Sequence, residues 1–373
     1  MRKKLKILVA MSGGVDSSVT AGLLKKQGHN VTGVFMINWK EDSTIEKCAW
    51  EKEFQDAKKV ADKLGIKIFT WDFSKEYKEK IFNYFINSYK IGITPNPDTL
   101  CNKYIKFGSF LDQAKKLGFD KIATGHYARI VKIKNKYYLY QAKDLLKDQS
   151  FFLYELGEEK LKYILFPLGK FKKNKTRQLA EKFDLPVSHK KDSYGICYIG
   201  EKNMQKFLGE YIQEKSGNII DKNNKILGKH TGLYHYTIGQ RQRIKIGGTG
   251  PYFVLKKDYK NNNLIITNNP EDKDLYCKEI YVKNINWINS KPKLPLKCLA
   301  RFRNLQELVK IKIYPMAGST NSQQANSGQV KILFDTLQKA VAPGQTIVFY
   351  KQQGFLKNKF QVLGGGIIEN YSN

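Results

Sequence analysis

The sequence predicts an α/β protein with an N-terminal doubly wound parallel sheet, a small β-rich central domain and a C-terminal β-barrel. Two observations lead to this fold class. Short apolar strands alternate with helical stretches over about the first 200 of the 373 residues, and evenly spaced short strands then continue to the C-terminal region. This change of pattern sets the predicted domains at residues 1–206, 207–277 and 278–373.

The N-terminal part is predicted to consist of β-α-β units. The expected strands are Ile7–Ala10, Val31–Ile37, Ile66–Thr70 and Lys121–Thr124. The expected helices are Ser18–Gln27, Cys48–Leu64, Ser74–Ser88 and Ile105–Leu117, three of them followed by a glycine stop. An alternating hairpin is expected at Arg129–Gln141. Ligands of such sheets bind beyond the carboxyl ends of the strands, which directs attention to the residues at those ends.

The C-terminal part alternates apolar and polar residues in short runs. The strands expected for the barrel are Cys298–Phe302, Val309–Tyr314, Gln329–Phe334, Gln345–Tyr350 and Gly365–Ile368. The stretch Gly318–Gly328 is polar and of low complexity, and it is interpreted as an insertion.

The segment Met11–Ser18, M-S-G-G-V-D-S-S, follows the first apolar strand directly. Gly13 and Gly14 permit positive φ and close approach, so successive N–H groups can face one phosphate. The helix that follows points its positive end at the same ligand. The segment has neither the Lys-Ser/Thr pair of a Walker loop nor G-x-G-x-x-G. It therefore indicates a different phosphate-binding loop, and a plain Gly-rich turn is the alternative.

The formal net charge of +31 is compatible with a nucleic-acid partner, but 58 of the 65 basic residues are lysine. A Lys-rich solvated exterior is the alternative interpretation. Among the few arginines, four lie beside motifs in the β-rich half and favour phosphate or base contacts: Arg241, Arg243, Arg301 and Arg303. No apolar run approaches the ~20 residues of a membrane helix, and the basic start runs straight into the first strand. A cytoplasmic protein is expected.

The five cysteines form no C-x-x-C pair and have no nearby His at ligand spacing, which argues against zinc. Their odd number in a chain expected in the cytosol argues against a disulfide framework. Cys101 lies in Thr94–Asn102, T-P-N-P-D-T-L-C-N, which the two prolines are expected to keep extended. Asp98, three residues before Cys101, is a candidate base. The alternative is an Asx turn with a small buried cysteine.

A second cysteine, Cys197, lies in Ser193–Gly200, S-Y-G-I-C-Y-I-G. Two loop cysteines in a reducing compartment suggest a nucleophile and a resolving thiol that work through persulfide or disulfide exchange. A strand with a core cysteine is the alternative for Cys197. Further candidates for phosphate, base-edge or adenosine contacts are Gly125, Lys147, Gln149 and Gln345, and His126 is a candidate general base. Each of them also has an ordinary structural interpretation as a turn, cap or hydrogen-bonded residue.

The segment S-G-G-V-D-S-S resembles the pyrophosphate (PP) loop of the ATP pyrophosphatases. Together with G-I-T-P-N-P-D, K-D-Q-S, S-Y-G-I-C, Y-T-I-G-Q-R and A-P-G-Q, it makes the chain resemble the bacterial tRNA-uridine 2-sulfurtransferase family almost end to end. The resemblance implies ATP contacts at Ala10, Met11, Ser12, Gly13, Gly14, Val15, Asp16, Ser17, Met36 and Gly125. It implies tRNA contacts at Asn96, Pro97, Asp98, His126, Lys147, Asp148, Gln149, Arg301, Phe302 and Gln345.

The same resemblance implies the chemistry. Cys101 matches the family's nucleophile, and Cys197 matches the cysteine that carries the persulfide. The wobble uridine of the Lys, Glu and Gln tRNAs is adenylated with ATP and Mg²⁺, sulfur comes from a cysteine desulfurase or relay protein, and AMP and pyrophosphate leave. Another ATP pyrophosphatase, such as a NAD, GMP or argininosuccinate synthetase, is the rival within the class, but amide formation needs no paired cysteines. A non-catalytic RNA-binding protein is the rival from another class, and the intact loop argues against it.

Overall fold

The structure is a computed structural model, and it describes residues 3–40, 49–192, 204–244, 246–247, 251–316, 328–352 and 360–372. Cys197, its segment 193–200, Cys48 and nearly all of the polar stretch 318–328 lie outside these residues. In the described part of the chain, no helix is long and apolar enough to cross a membrane.

The N-terminal domain is a five-stranded parallel sheet between helices, with strand order β3-β2-β1-β4-β7. Its first elements are β1 Lys6–Ala10, α1 Val15–Lys26, β2 Asn30–Ile37, α2 Ala49–Leu64, β3 Ile68–Asp72, α3 Ser74–Tyr77 and α4 Asn83–Lys90, the last two joined by a π-helical turn Lys78–Phe82. The second series is α5 Pro97–Leu100, a π-helical segment Cys101–Ser109, α6 Phe110–Lys116, β4 Lys121–Ala123, β5 Ala128–Ile133 and β6 Lys136–Gln141. The domain ends with a 3₁₀ turn Ser150–Leu153, α7 Glu158–Leu161, β7 Ile164–Leu165, a 3₁₀ turn Pro167–Lys170, α8 Lys173–Lys182 and α9 Met204–Tyr211.

The central domain is a small four-stranded sheet. Its elements are β8 Gly217–Ile220, β9 Ile226–His230, a 3₁₀ turn Leu233–His235, β10 Phe253–Asp258 and β11 Asn263–Thr267, in the order β10-β11-β8-β9. A separate apolar core of Val254, Leu264, Ile266 and neighbours stabilises it. Because α9 packs Phe207 and Leu208 into the N-terminal core, the central sheet itself begins after this helix.

The C-terminal domain is a closed six-stranded antiparallel barrel. After a 3₁₀ turn Lys273–Leu275, its strands are β12 Tyr276–Trp287, β13 Leu296–Arg301, β14 Val309–Pro315, β15 Val330–Lys339, β16 Thr346–Gln352 and β17 Phe360–Ser372. The pairing of β12 with both β15 and β17 closes the barrel. The predicted fold class is confirmed, although β12 was not among the predicted strands despite the alternating burial along it.

The hairpin β5–β6 joins two domains. It was expected as an insertion in the α/β unit, and β6 also pairs with β17 of the barrel, Leu139 opposite Val362 and Tyr140 opposite Gln361. The barrel sheet therefore extends into the N-terminal domain through backbone hydrogen bonds.

Three predicted boundaries were wrong for local reasons. The strand β3 begins at Ile68 rather than Ile66, because the amides of Gly65 and Ile66 bond to carbonyls of α2 and close that helix. The helix α1 begins at Val15 rather than Ser18, with Gly14 extended as its N-cap. The segment with two prolines is helical from Pro97 onwards rather than extended.

Candidate active site

The loop after β1 has the geometry of a phosphate cradle. Gly13 adopts φ +70°, and a Cβ there would lie 2.2 Å from the carbonyl oxygen of Glu53, so only glycine fits. Gly14 is extended and leads into α1, whose first N–H groups have no intrahelical acceptor. Ser17 Oγ accepts the amide of Ser12 at 3.1 Å, which curls the loop over the helix start. The N–H groups at this end of α1 suit an anion.

Two lysines hold the loop from outside. Lys190 Nζ donates to the carbonyl of Gly13 at 3.1 Å and pairs with Asp56 at 2.7 Å. Lys173 Nζ donates to both carboxylate oxygens of Asp16 at 2.8 Å, and Tyr127 donates to the same carboxylate at 3.0 Å. Ion pairs therefore fix the loop on both sides, each lysine being matched by a carboxylate.

Asp192 gathers three cations beside the loop. Its carboxylate accepts from Lys173 at 2.7 Å, from Arg177 at 3.0 Å and from Lys147 at 2.9 Å. Burial alone would raise the pKa of Asp192, but the hydrogen bonds from Lys173 and Lys147 outweigh it and hold the pKa at about 2. The carboxylate keeps these cations in place while it limits their net positive charge.

Other predicted ATP-site residues line the same edge of the sheet. Gly125, two residues after β4, is so close to α1 that a Cβ would lie 2.9 Å from the amide nitrogen of Ser17. Met36 lies inside β2, where it is half-buried and pairs with Trp71 of β3. Ala10 ends β1 and is buried. The structure therefore brings Ala10, Gly125 and the loop together, while their contacts with ATP remain a prediction.

A metal has few protein ligands to use here. Among the described residues, no group of three His, Cys, Asp or Glu side chains is arranged to hold an ion. Asp16, the acidic residue of the loop, is occupied by Lys173. This donor set fits Mg²⁺ only as an ion carried on the phosphates and water, which is its usual mode of binding.

The segment with the first candidate cysteine forms a capped helix. Asn96 is the N-cap of α5 and accepts the amide of Thr99 at 3.4 Å, with Pro97 in the first helical position. Proline is tolerated there because its missing N–H would have no partner in any case. The expectation of a non-helical loop was therefore wrong, and in the first turn of the helix Asp98 is exposed between the buried Pro97 and Thr99.

Asp98 and Cys101 differ in environment. Asp98 reaches solvent but has protein on most sides, so loss of hydration raises its pKa, while the nearby charge of Lys106 opposes that effect. Cys101 is only 5% exposed at the start of the π-helical segment. A carboxylate with a raised pKa is the stronger base, which suits the role expected for Asp98.

His126 is enclosed rather than presented to solvent. Its Nδ1 lies 2.7 Å from the Thr124 hydroxyl, and its ring packs against Phe107 and Phe166. Burial, together with the charge of Lys106, lowers the pKa of His126 well below its ordinary value. The ring is therefore neutral at pH 7, and a tRNA contact at this residue stays a prediction.

Two expected tRNA-binding residues contact each other between domains. Asp148 is buried, accepts the amide of Ala142 at 2.9 Å and lies 3.6 Å from Arg301 of β13. The guanidinium of Arg301, 6% exposed, also lies 5.2 Å from the centre of the Tyr350 ring. Burial raises the pKa of Asp148, and its hydrogen bond from Ala142 and the charge of Arg301 oppose that. This pair joins the N-terminal domain to the barrel.

The remaining predicted tRNA contacts also have partners within the chain. Gln149 accepts the amide of Tyr127 at 2.9 Å, and Lys147 binds Asp192. Gln345 donates to the carbonyl of Thr94 at 2.6 Å, and Phe302 is buried in the barrel core. Their contact with tRNA is not tested by these positions and stays a prediction.

Two of the other cysteines are unsuited to chemistry. Burial raises the pKa of Cys277 to about 11 and that of Cys298 to about 12, so both stay thiols. The second candidate, Cys197, lies outside the described residues.

Sequence reasoning missed Lys173, Lys190 and Asp192. In a chain with 58 lysines no signal distinguishes two of them, and their contacts join residues far apart in sequence, Lys190 with Gly13 and Lys173 with Asp16. Tyr127 directly follows the candidate His126, but nothing in the local sequence indicates its bond to Asp16.

Three family models cover nearly the whole chain. They are described as a tRNA methyl transferase HUP domain, matching residues 5–201, a tRNA methyl transferase PRC-barrel domain, residues 205–268, and an aminomethyltransferase β-barrel domain, residues 277–368. Among solved structures, the U34-tRNA thiolase NcsA of Methanococcus maripaludis aligns with a TM-score of 0.36 and 18% identity, over 52% of this chain and 62% of that one. That score is too low for a functional argument.

Curated relatives match the chain over its length. The tRNA-specific 2-thiouridylase MnmA of Buchnera aphidicola subsp. Acyrthosiphon pisum is 46% identical, over 99% of this chain and 98% of the relative. The proteins of that name from Alkaliphilus oremlandii and Geobacillus thermodenitrificans are 42% and 39% identical, covering 93% and 98% of this chain and 94% of each relative. With the nucleotide loop and the Asp98–Cys101 segment in place, the chain belongs to the tRNA-specific 2-thiouridylase family.

Proposed function

We propose that this protein is a tRNA-uridine 2-sulfurtransferase that uses ATP to replace the 2-oxygen of the wobble uridine with sulfur. The observation that carries the proposal is the full-length relationship to 2-thiouridylases combined with an intact phosphate cradle at Gly13–Ser17. The 2-carbonyl oxygen of uridine is a poor leaving group, so an enzyme that exchanges it has to activate it first.

In the first step the chain holds ATP and directs the uridine oxygen at the α-phosphorus. The N–H groups at the start of α1 hold the phosphates, and Lys173 and Lys190 keep the loop in place from either side. A bond forms between O2 and the α-phosphorus, the bond to the β-phosphate oxygen breaks, and pyrophosphate leaves. Asp98 takes the proton that the uridine N3 loses, a role that its raised pKa favours.

In the second step sulfur replaces the activated oxygen. The terminal sulfur of a Cys197 persulfide attacks C2, the C2–O2 bond breaks, and AMP leaves. Cys101 then attacks the Cys197 sulfur, the S–S bond breaks, and its electron pair stays on the 2-thio group. The products are 2-thiouridine and a Cys101–Cys197 disulfide, which a thiol reductant returns to two thiols.

The proposal includes Mg²⁺ on the ATP phosphates and a cysteine desulfurase or relay protein as the source of persulfide sulfur. It includes the anticodon arms of the Lys, Glu and Gln tRNAs as substrates. The reaction takes place in the cytoplasm, where tRNA and ATP are both available.

Methyl transfer is the competing function, because two of the matching family models carry that description. Mass spectrometry of tRNA after incubation with ATP, Mg²⁺, cysteine and a desulfurase distinguishes them. We expect 2-thiouridine, with one AMP and one pyrophosphate per nucleoside. ADP and phosphate instead, or a methylated base that requires S-adenosylmethionine, would refute the proposal.

Radiolabelled sulfur separates the roles of the two cysteines. Cys197→Ser should bind tRNA and ATP but take up no label from the desulfurase. Cys101→Ser should become labelled yet release little thiolated tRNA, because the resolving thiol is absent. The opposite pattern means that the roles are reversed, and full activity of both variants means that both cysteines are structural.

A further inference from the structure

A three-residue segment shortly before the helix α5 is contacted by both the central domain and the barrel. Gly92, Ile93 and Thr94 lie just N-terminal to Asn96–Cys101. From the central domain, Lys257 Nζ donates to the carbonyl of Gly92 at 2.5 Å, and the Thr237 hydroxyl lies 3.0 Å from that of Thr94. From the barrel, Gln345 donates to the carbonyl of Thr94. We call Gly92–Thr94 the junction segment.

Glycine stands at two close approaches around the junction segment. Gly92 adopts φ +78°, and a Cβ on it would lie 1.4 Å from the Tyr259 hydroxyl oxygen. Gly344 of the barrel adopts φ +85°, and a Cβ there would lie 2.0 Å from Ile93 Cγ2. The two β domains therefore contact the segment from separate directions, with glycine at each closest approach.

Lys257 is an unusual residue for such a contact. Its ammonium group is largely buried, and its second bond goes to the carbonyl of Tyr236 at 2.9 Å. Within the described part of the chain, no carboxylate pairs with it. Burying an ammonium group without a counterion costs free energy that an apolar side chain would not cost. A lysine at this position therefore indicates that its two hydrogen bonds, and not its volume alone, matter to the structure.

We propose that Lys257 is a positioning residue for the reaction. Its bonds to Gly92 and Tyr236 set the start of the Asn96–Cys101 helix relative to the central domain, so that a tRNA held by the β domains meets Asp98 and Cys101 at a defined place. The inference rests on the proposed function, because it assumes that Asp98 and Cys101 act on this tRNA.

The test compares Lys257→Met with Lys256→Met. Lys256 is the exposed neighbour on β10, so its replacement removes the same charge from the same strand without touching the junction segment. We expect Lys257→Met to lower kcat for 2-thiouridine formation about tenfold, the effect of losing a hydrogen bond to a charged donor, with the KM for tRNA equal to that of Lys256→Met. Lys257→Arg, which keeps donors and charge, should recover part of kcat.

Hydrogen exchange provides a readout that needs no enzyme activity. Amides in residues 92–101 should exchange faster in Lys257→Met than in Lys256→Met, with β1 and α1 unchanged. Equal kcat in the two variants, a rise in tRNA KM alone, or faster exchange throughout the chain would each overturn the inference. If Lys257→Met does not fold, Lys257→Gln, which removes the charge but keeps a polar side chain, takes its place in the same comparison, and exchange equal to that of Lys256→Met then overturns the inference.

The two failures are distinguishable. If the parent protein forms no 2-thiouridine with a competent desulfurase, the proposed function fails. The hydrogen-exchange experiment still measures in that case how far Lys257 restrains residues 92–101. If the parent is active and Lys257→Met matches Lys256→Met in both readouts, only the positioning role fails.

Discussion

The nucleotide loop and the catalytic helix are supported in opposite ways. The loop at Gly13–Ser17 takes its contacts from its own domain, from α2, from α8 and from Lys190. The catalytic helix is preceded by Gly92–Thr94, which the central domain and the barrel contact. The described contacts of the loop thus come from within one domain, whereas the segment before Asp98 and Cys101 is also contacted by the two β domains.

The largest effect, on the free energy of unfolding, is expected at the contact between the barrel and the N-terminal domain. Breaking the buried Asp148–Arg301 pair tests whether the assembly of the domains depends on it. Arg301→Met leaves Asp148 buried without its cation and should reduce the free energy of unfolding by about 3–5 kcal/mol in urea titration. The double variant Asp148→Asn/Arg301→Met should regain a large part of that loss. Unchanged stability with weaker tRNA binding in Arg301→Met would show instead that Arg301 acts on tRNA directly.

A substitution in the nucleotide loop should lower activity through a steric clash within the N-terminal domain. Gly13→Ala puts a Cβ against the Glu53 carbonyl and should reduce ATP-dependent pyrophosphate release about 100-fold, about 2.7 kcal/mol in activation free energy. Gly118→Ala is the matched control, since Gly118 has φ +75° with nothing within 4 Å of the added Cβ. It should cost about 1 kcal/mol of stability and no activity. Equal activity losses in both would show that backbone strain, not the cradle, is responsible.

A substitution in the junction segment should lower activity by disturbing its contact with the central domain. Gly92→Ala introduces a Cβ into Tyr259 and should lower kcat about tenfold while the Kd for ATP stays near that of the parent. Adding Tyr259→Ala should restore part of the activity, because the two changes are coupled through one contact. Additive losses in the double variant would contradict an interdomain contact at this position.

The smallest effect is a pH dependence at Lys257. Burial lowers the pKa of this lysine from its ordinary 10.5 to about 8, so between these values the unfolded chain binds more protons than the folded one. Stability therefore rises with pH in that window. Compared with Lys257→Met, the parent should gain about 1 kcal/mol between pH 7.5 and pH 9. Tyr259 stays neutral there, since burial raises its pKa to about 12. A constant difference between the two proteins would mean that the ammonium is not buried in solution.

Features carried by contiguous residues were predictable. The strand β1, the glycine pair and the helix after it could be assigned because an apolar run, positive φ and an N-terminal dipole act over a few neighbours. The wrong predictions concern positions where two local structures were both compatible with the sequence pattern. Pro97 starts a helix instead of preventing one, since Asn96 supplies the cap. Ile66 closes α2 instead of starting β3.

The sequence by itself determined the fold class, the phosphate cradle and the family, because each depends on periodicity or on a short motif whose geometry is local. Only the tertiary structure decided that Lys173, Lys190 and Asp192 surround that cradle, that Asp148 meets Arg301 across a domain boundary, and that Lys257 reaches the carbonyl of Gly92. The contacts that Lys173, Lys190 and Lys257 make with Asp16, Gly13 and Gly92 join residues 157 to 177 positions apart. No local pattern encodes such pairs, because their energy comes from burial and charge that exist only once the domains have packed.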